Sequence, residues 1–244
     1  MLVYLDESYR AKDRLFIGAL FLPTKAKRRL LHQQFLDLKT KDNFLDNGSP
    51  KEIKYAKITT SKSLRVAKGA VSLFSNLDNA FFRACTIPYD PVKMTKLGGN
   101  KNVPMKIKEA IIYTRATVQL LKSNLDQTTN AVLLMDELTR ASGDKFDALI
   151  KGKLGNGDKP IFRHIGYINS ASPRNHLVQI CDLLLGAILN ENYPTKNKLK
   201  NRFREFVKLE LKLPTLKENY WKNKLKKTAD KQHPKYNIRF WKTP

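Results

Sequence analysis

The chain has 244 residues, long enough to bury a full core in one large or two small domains, and its 41% hydrophobic content is ordinary for a soluble globular protein. Its charge is not ordinary: 46 Lys+Arg against 22 Asp+Glu leave +24, a self-repulsion that points to a polyanionic partner, nucleic acid before an anionic membrane. No apolar run approaches the eighteen or so residues of a spanning helix, and the N-terminus lacks the basic region of a signal peptide.

Cys85 and Cys181 lie in apolar surroundings without CxxC or Cys/His spacing, which argues against zinc and against a disulfide framework. A reducing, cytoplasmic compartment is the expectation.

Leu2 to Leu5 form an uncharged apolar run rich in β-formers and end in Asp6-Glu7-Ser8. A strand with both faces covered is expected, delivering Asp6 at its carboxyl end, where open α/β sheets commonly place ligand sites. Arg14 to Pro23 reads as a second strand joined by a short hairpin turn. Thr24 caps an expected helix to Lys39, with Leu30, Leu31, Phe35 and Leu38 at helical spacing. The turn-rich stretch 41–50 reads as a loop. Directly after it, Lys51-Glu52-Ile53-Lys54-Tyr55 sets an acid and a base around a β-branched residue. A helix is expected over Ser61 to Ser75 and a third strand over Asn79 to Tyr89.

Asp90 to Pro104 reads as a loop whose lysines either meet phosphates or face solvent. The spacing of Ile107, Ile111, Ile112, Ala116, Leu120 and Leu121 predicts a core-facing helix from Met105 to Leu125. Ala131 to Met135 is a second fully apolar strand, and it repeats the opening pattern by ending in Asp136-Glu137. Ser142 to Leu154 reads as a short helix and Ile161 to Ile168 as a fifth strand. Ser172-Pro173 then predicts a helix start. The helix from Arg174 to Asn190 is apolar nearly all round, with Asp182 in its middle. Such a carboxylate must be protonated, paired or on a metal. Gln179 and His176 precede it at one-turn intervals.

Beyond Asn192 the composition shifts. Residues 193–244 hold 16 Lys+Arg against 4 Asp+Glu, a net of +12 and half of the protein's excess. Aromatic residues are interleaved there, so residues 192–244 read as a basic, mainly helical appendage folding back on a core of residues 1–191.

Asp6, Glu52, Asp136 and Asp182 thus form a candidate catalytic set. Carboxylates so gathered repel one another by roughly 1–4 kcal/mol per pair. Divalent cations relieve that repulsion, Mg²⁺ preferring hard oxygen ligands, and a pair of them can cleave a phosphodiester. Glu7 and Glu137 are further candidate ligands or shape the strand ends. Lys54 can orient a water, neutralise a phosphate, or be one of many surface lysines. Asp46 with Glu52-Ile53-Lys54 permits a PD-(D/E)xK-type reading, but it leaves Asp136 and Asp182 without a role. A non-enzymatic reading is a basic nucleic-acid-binding protein with an inactive core; a pure binder of polyanions gains nothing from clustered acids.

LDES at Leu5–Ser8, EIK at Glu52–Lys54, MDE at Met135–Glu137 and QICDLLLGA at Gln179–Ala187 resemble the family designated domain of unknown function 3800. The match spans roughly residues 1–190 in the expected motif order. Tyr9 stands where the family has Gly, and Cys181 where it has Ala, so no carboxylate is lost. The resemblance implies an RNase H-like α/β fold with a mixed sheet of about five strands and flanking helices. It also implies a nuclease-like site holding Mg²⁺ or Mn²⁺ on Asp6, Glu52, Asp136 and Asp182, supported by Lys54, Gln179 and Ser8, and acting on DNA or RNA.

Overall fold

The structure is a computed structural model that describes residues 1–10, 14–88, 105–122, 124–125, 130–136, 148, 150, 152, 154, 161–172, 175–217 and 236–240. Strands β1 (Leu2–Arg10) and β2 (Arg14–Leu22) form the expected antiparallel hairpin, in register from Leu2 opposite Leu22 to Arg10 opposite Arg14. On its far side β2 pairs antiparallel with β5 (Phe81–Pro88). On the other flank β1 runs parallel to β6 (Ala131–Asp136), and β6 parallel to β7 (Phe162–Ile168). Strands β3 (Leu45–Asp46) and β4 (Ser49–Pro50) are a separate two-residue ribbon in the 41–50 loop.

This is a mixed α/β fold with β2 running against its neighbours. A sixth strand, β8 (Tyr236–Phe240), adds itself parallel to β5, giving the order β7-β6-β1-β2-β5-β8.

Both faces of the sheet are covered. Tyr4, Phe16, Leu20 and Leu22 point to one apolar layer, while Val3, Leu5, Leu15, Ile17, Ala19 and Phe21 point to the other, as the period-2 pleat requires. The first layer is closed by α1 (Lys25–Lys41), α2 (Ser61–Ser75), α4 (Leu177–Asn192) and α5 (Lys198–Glu210). The second is closed by α3 (Met105–Lys122) through Tyr113, Ala116 and Leu120. Caps fix the starts of α1 and α2: the Thr24 side chain accepts the Lys27 N–H, and Thr60 and Ser63 form a reciprocal capping box.

Helix α4 begins at Leu177 instead of Arg174. Asn175 N–H closes a turn on the Ser172 carbonyl first, and His176 then precedes the helix without capping it through its side chain. The Asp90–Pro104 loop lies outside the described residues, as do Pro173, Arg174 and most of the Ser142–Leu154 helix.

While residues 236–240 of the basic C-terminal stretch enter the sheet as β8 instead of lying outside the core, the stretch packs back on the first layer through α5 and Leu216. Phe203, Val207 and Leu216 are fully buried there, and Asn197 caps α5 by accepting the Leu199 and Lys200 N–H groups. Arg204 and Lys208 converge on Glu191 at 3.1 and 3.6 Å, joining α5 to the end of α4. No helix among the described residues is long and apolar enough to cross a membrane.

Candidate active site

Pleat and register bring the first two carboxylates together. Asp6 shares the face of Tyr4, and Asp136 that of Leu134, so both turn towards the layer that contains α4. Leu5 stands beside Met135 in the parallel ladder, so Asp6 and Asp136 leave adjacent strands at the same level, about 4.8 Å apart. Ser8 lies one pleat further along that face, whereas Glu7 has the parity of Val3 and Leu5.

Two glycines let the third carboxylate approach. Gly18 lies opposite Asp6 on β2, and a Cβ there would stand 2.8 Å from Leu185 Cγ, so α4 sits directly on the strand. A Cβ on Gly186 would stand 2.0 Å from Tyr55 Cγ, so the segment around Tyr55 lies directly on α4. One turn before them, Asp182 Oδ2 accepts the Tyr55 N–H at 2.5 Å. Glu52, in the irregular segment just upstream, is thereby placed at the same end of the sheet.

Electrostatics divide the four acids into two pairs. Asp6 is 7% exposed, and burial, then the charges of Asp182, Glu7 and Asp136, hold its pKa well above the usual carboxylate range against one hydrogen bond from the Glu7 N–H. Asp182 is part-buried. Enclosure pushes its pKa up to about 6, with the Tyr55 N–H and Lys54 pulling the other way. Glu52 goes in the opposite direction. Burial raises its pKa, but hydrogen bonds from Lys57 (2.7 Å) and Ser170 Oγ (2.9 Å), with the Lys54 charge, bring it below the ordinary value. Lys54 Nζ stands 3.3 Å from Glu52 and 3.7 Å from Asp136, and the Ser170 N–H donates to Asp136 Oδ1 at 3.1 Å. Burial lowers the Lys54 pKa, but the Glu52 and Asp136 charges raise it further, so its ammonium persists.

Beneath this pair runs a buried polar relay. Gln179 Oε1 accepts from Lys39 Nζ at 2.7 Å and from Ile53 N–H at 3.1 Å, and its Nε2 donates to the Ser170 carbonyl at 2.5 Å. One side chain therefore ties together the segment bearing Glu52 and the turn holding Asp136. Lys39 is fully buried between Gln179 and His176 Nδ1 (3.1 Å), with the Phe35 ring 4.3 Å from its ammonium. Burial pushes the Lys39 pKa down to about 7, while burial and the Lys39 charge push His176 down to about 4. His176 is thus neutral and can accept from Lys39; it packs edge-on against Phe35 and serves as a polar contact, not a base.

Sequence reading missed Ser170, Lys57, Lys39 and the two glycines. Lys39 did carry a signal, since Leu31, Phe35 and Lys39 recur every fourth residue and put it on the buried stripe of α1. Asp46 is exposed on the β3–β4 ribbon, and Glu137 lies outside the described residues.

The donor set fits hard divalent cations: four carboxylates, two of which resist ionisation until a positive charge joins them. Among the described residues, however, no three or more His, Cys, Asp or Glu side chains are placed so that together they could hold a metal ion, and Lys54 stands between two of the acids.

No family model matches the chain, and no curated protein matches it in sequence. Among solved structures, RNase HII in the PCNA complex from Archaeoglobus fulgidus is similar at a TM-score of 0.42 and 10% identity, over 95% of this chain and 98% of that one. A point mutant of Bst-RNase HIII is similar at 0.37 and 11%, over 87% of this chain. Bst-RNase HIII in complex with Mn²⁺ is similar at 0.34 and 12%, over 78%. The chain spans about half the length of these two RNase HIII chains, 55% and 54%. At TM-scores below 0.5, neither a fold family nor a site residue is carried over from them.

Proposed function

We propose that this protein is a divalent-metal-dependent nuclease that hydrolyses phosphodiester bonds of DNA or RNA, and that it belongs to the domain of unknown function 3800 family. One observation carries the reading: Asp6, midway along the central strand β1, and Asp182, on the helix packed over that strand, are both enclosed acids whose pKa values burial and neighbouring carboxylates hold above the usual range. A fold keeps such an arrangement at a cost in stability, and a bound cation is what offsets it.

Asp6, Asp182, Asp136 and Glu52 would hold Mg²⁺ or Mn²⁺. When bound, the cations would supply a water of lowered pKa and neutralise charge developing on the leaving oxygen. Asp6 contributes an oxygen from the sheet and Asp182 one from the helix above it. Lys54 pairs with Glu52 and Asp136 and would present an ammonium to a phosphate. Gln179 and Ser170 fix the two segments so that the carboxylates need not reorganise on loading. The charge of +24 supports a polyanionic substrate, and buried, unpaired Cys85 and Cys181 suit a reducing, cytoplasmic setting.

The rival reading, a non-catalytic nucleic-acid-binding protein, explains the charge equally well but gives the acids no task. Labelled DNA and RNA incubated together with the protein, with and without millimolar Mg²⁺ or Mn²⁺, decide between them. Metal-dependent cleavage lost in Asp6→Asn is the expected result. Binding without cleavage of either substrate under any of these conditions would leave the rival.

A further inference from the structure

Beside the carboxylates, a cavity of about 230 Å³ opens to solvent between Tyr55, Leu189, Asn190, Tyr193, Thr195 and Lys200. Tyr55 links it to the candidate site, its backbone N–H donating to Asp182 and its side chain lining the cavity. Asp182 and Asn190 are eight residues apart on α4, or about 12 Å along the axis, a few nucleotide steps along a strand.

The walls are rigid aromatic surfaces with a cation beside them. Tyr55 is held by close contact with Gly186, by Phe203 with ring centroids 6.1 Å apart, and by Lys200 Nζ at 5.1 Å over its face. Tyr193 stands edge-on to Phe16, 6.3 Å away and at 85°. The amide of Asn190 is committed, its Nδ2 donating to Asn201 and its Oδ1 accepting the Thr195 N–H. Tyr55 Oη is buried and makes no hydrogen bond within the protein, a group that calls for a partner. Exposed lysines at 196 and 198 flank the opening and add positive charge.

We infer that this cavity seats one unpaired nucleobase of the bound strand, stacked against Tyr193 and Tyr55, with Lys200 beside its phosphate. The inference rests on the nuclease reading for the strand's presence and deepens it by assigning where the strand is gripped. A flat base with a polar edge suits two held rings better than a hydrated polar ligand does, and positive charge around the opening suits its backbone. Because the Asn190 amide is already engaged, the base is accepted by its π-face and not by its edge pattern. Any base is therefore tolerated.

The test uses the full chain in EDTA, so that nothing is cut, and follows the anisotropy of labelled oligothymidine and of an abasic strand of equal length. Wild type should bind the base-bearing strand about tenfold more tightly. Tyr193→Leu, which keeps apolar contact with Phe16, should remove most of that gap and leave abasic affinity unchanged. Thr195→Phe, which fills the cavity and leaves both tyrosines in the chain, should do the same and carries the test if the Leu variant fails to fold. Equal affinities in wild type, or a gap that survives both substitutions, would overturn the inference. Cleavage assays on the same proteins separate the two claims. Metal-dependent cleavage without base dependence sinks the cavity assignment alone, and base-dependent binding without cleavage sinks the nuclease alone.

Discussion

Asp6 and Asp182 on one side, and Glu52 and Asp136 on the other, are the same chemical group in opposite electrostatic states. Exposure does not separate them: Asp6 is 7% exposed, and the Glu52 and Asp136 side chains 13% and 17%. Partners do. Glu52 and Asp136 share an ammonium and the Ser170 turn, which hold both side chains in place. Asp6 faces other carboxylates and has a backbone N–H for a donor. Half of this site is thus compensated by cationic and hydroxyl partners within the chain, and the other half is not.

The largest expected effect comes from breaking the uncompensated half. Asp6→Asn keeps the shape but removes charge and ligand capacity, so metal-dependent cleavage should fall more than about 100-fold, beyond what the loss of an outer partner costs. Oligonucleotide affinity should hold or rise, because one repulsive charge is gone; a parallel binding titration checks this.

Displacing the segment that joins the halves comes next. Gly186→Ala drives a methyl into Tyr55, which also carries the hydrogen bond to Asp182. Overpacking should cost about 1–3 kcal/mol in denaturant unfolding. Cleavage should drop about 10–100-fold through loss of placement.

Lys39→Met should lower metal affinity or activity by about tenfold, since Gln179 would lose one of the groups that fix it. This change also has a pH signature. The Lys39 pKa is depressed on folding, so the folded state binds fewer protons between about pH 7 and the unfolded value, and wild-type stability gains from this group as pH rises through that window. The variant should lack that gain in urea titrations repeated across pH.

The smallest effect concerns the compensated half. Lys54→Gln should cost the metal-free protein about 0–1 kcal/mol, because the lysine is part-exposed and screened by solvent. A larger loss would mean that Glu52 and Asp136 depend on it more than their other partners allow.

The strand that delivers Asp6 was legible because an uncharged apolar run can only be covered on both faces, and the repeat at Asp136 placed it on a neighbouring strand. Thr24 announced its helix through a side chain that caps, whereas the Thr60–Ser63 capping box of α2 went unread. Glu52 was harder to place, since residues 51–54 have no periodicity and are positioned by Gln179 and Asp182, over 120 residues away. Ser170 sits in a turn whose sequence gives no sign of the acids it serves. Lys39 was hidden among 46 basic residues although its spacing put it inside. The pairing of β8 with β5 joins Tyr236 to Phe82 across most of the chain, a separation that local pattern does not encode.

Thermal melts of wild type and Asp182→Asn, each with and without millimolar Mg²⁺ or Mn²⁺ at pH 8, test the central claim most directly. The Asp182 pKa is raised from its usual value to about 6, so its stabilising proton is present at low pH and lost as pH rises through roughly 4 to 6; at pH 8 the full penalty remains. Neutralising it should therefore stabilise the metal-free protein by on the order of 1–2 kcal/mol, or about 2–8 °C. Metal should raise the melting temperature of wild type and do so far less in the variant. A variant that melts lower than wild type without metal, and gains as much from metal, would make Asp182 a structural ion-pair partner and contradict the proposed site.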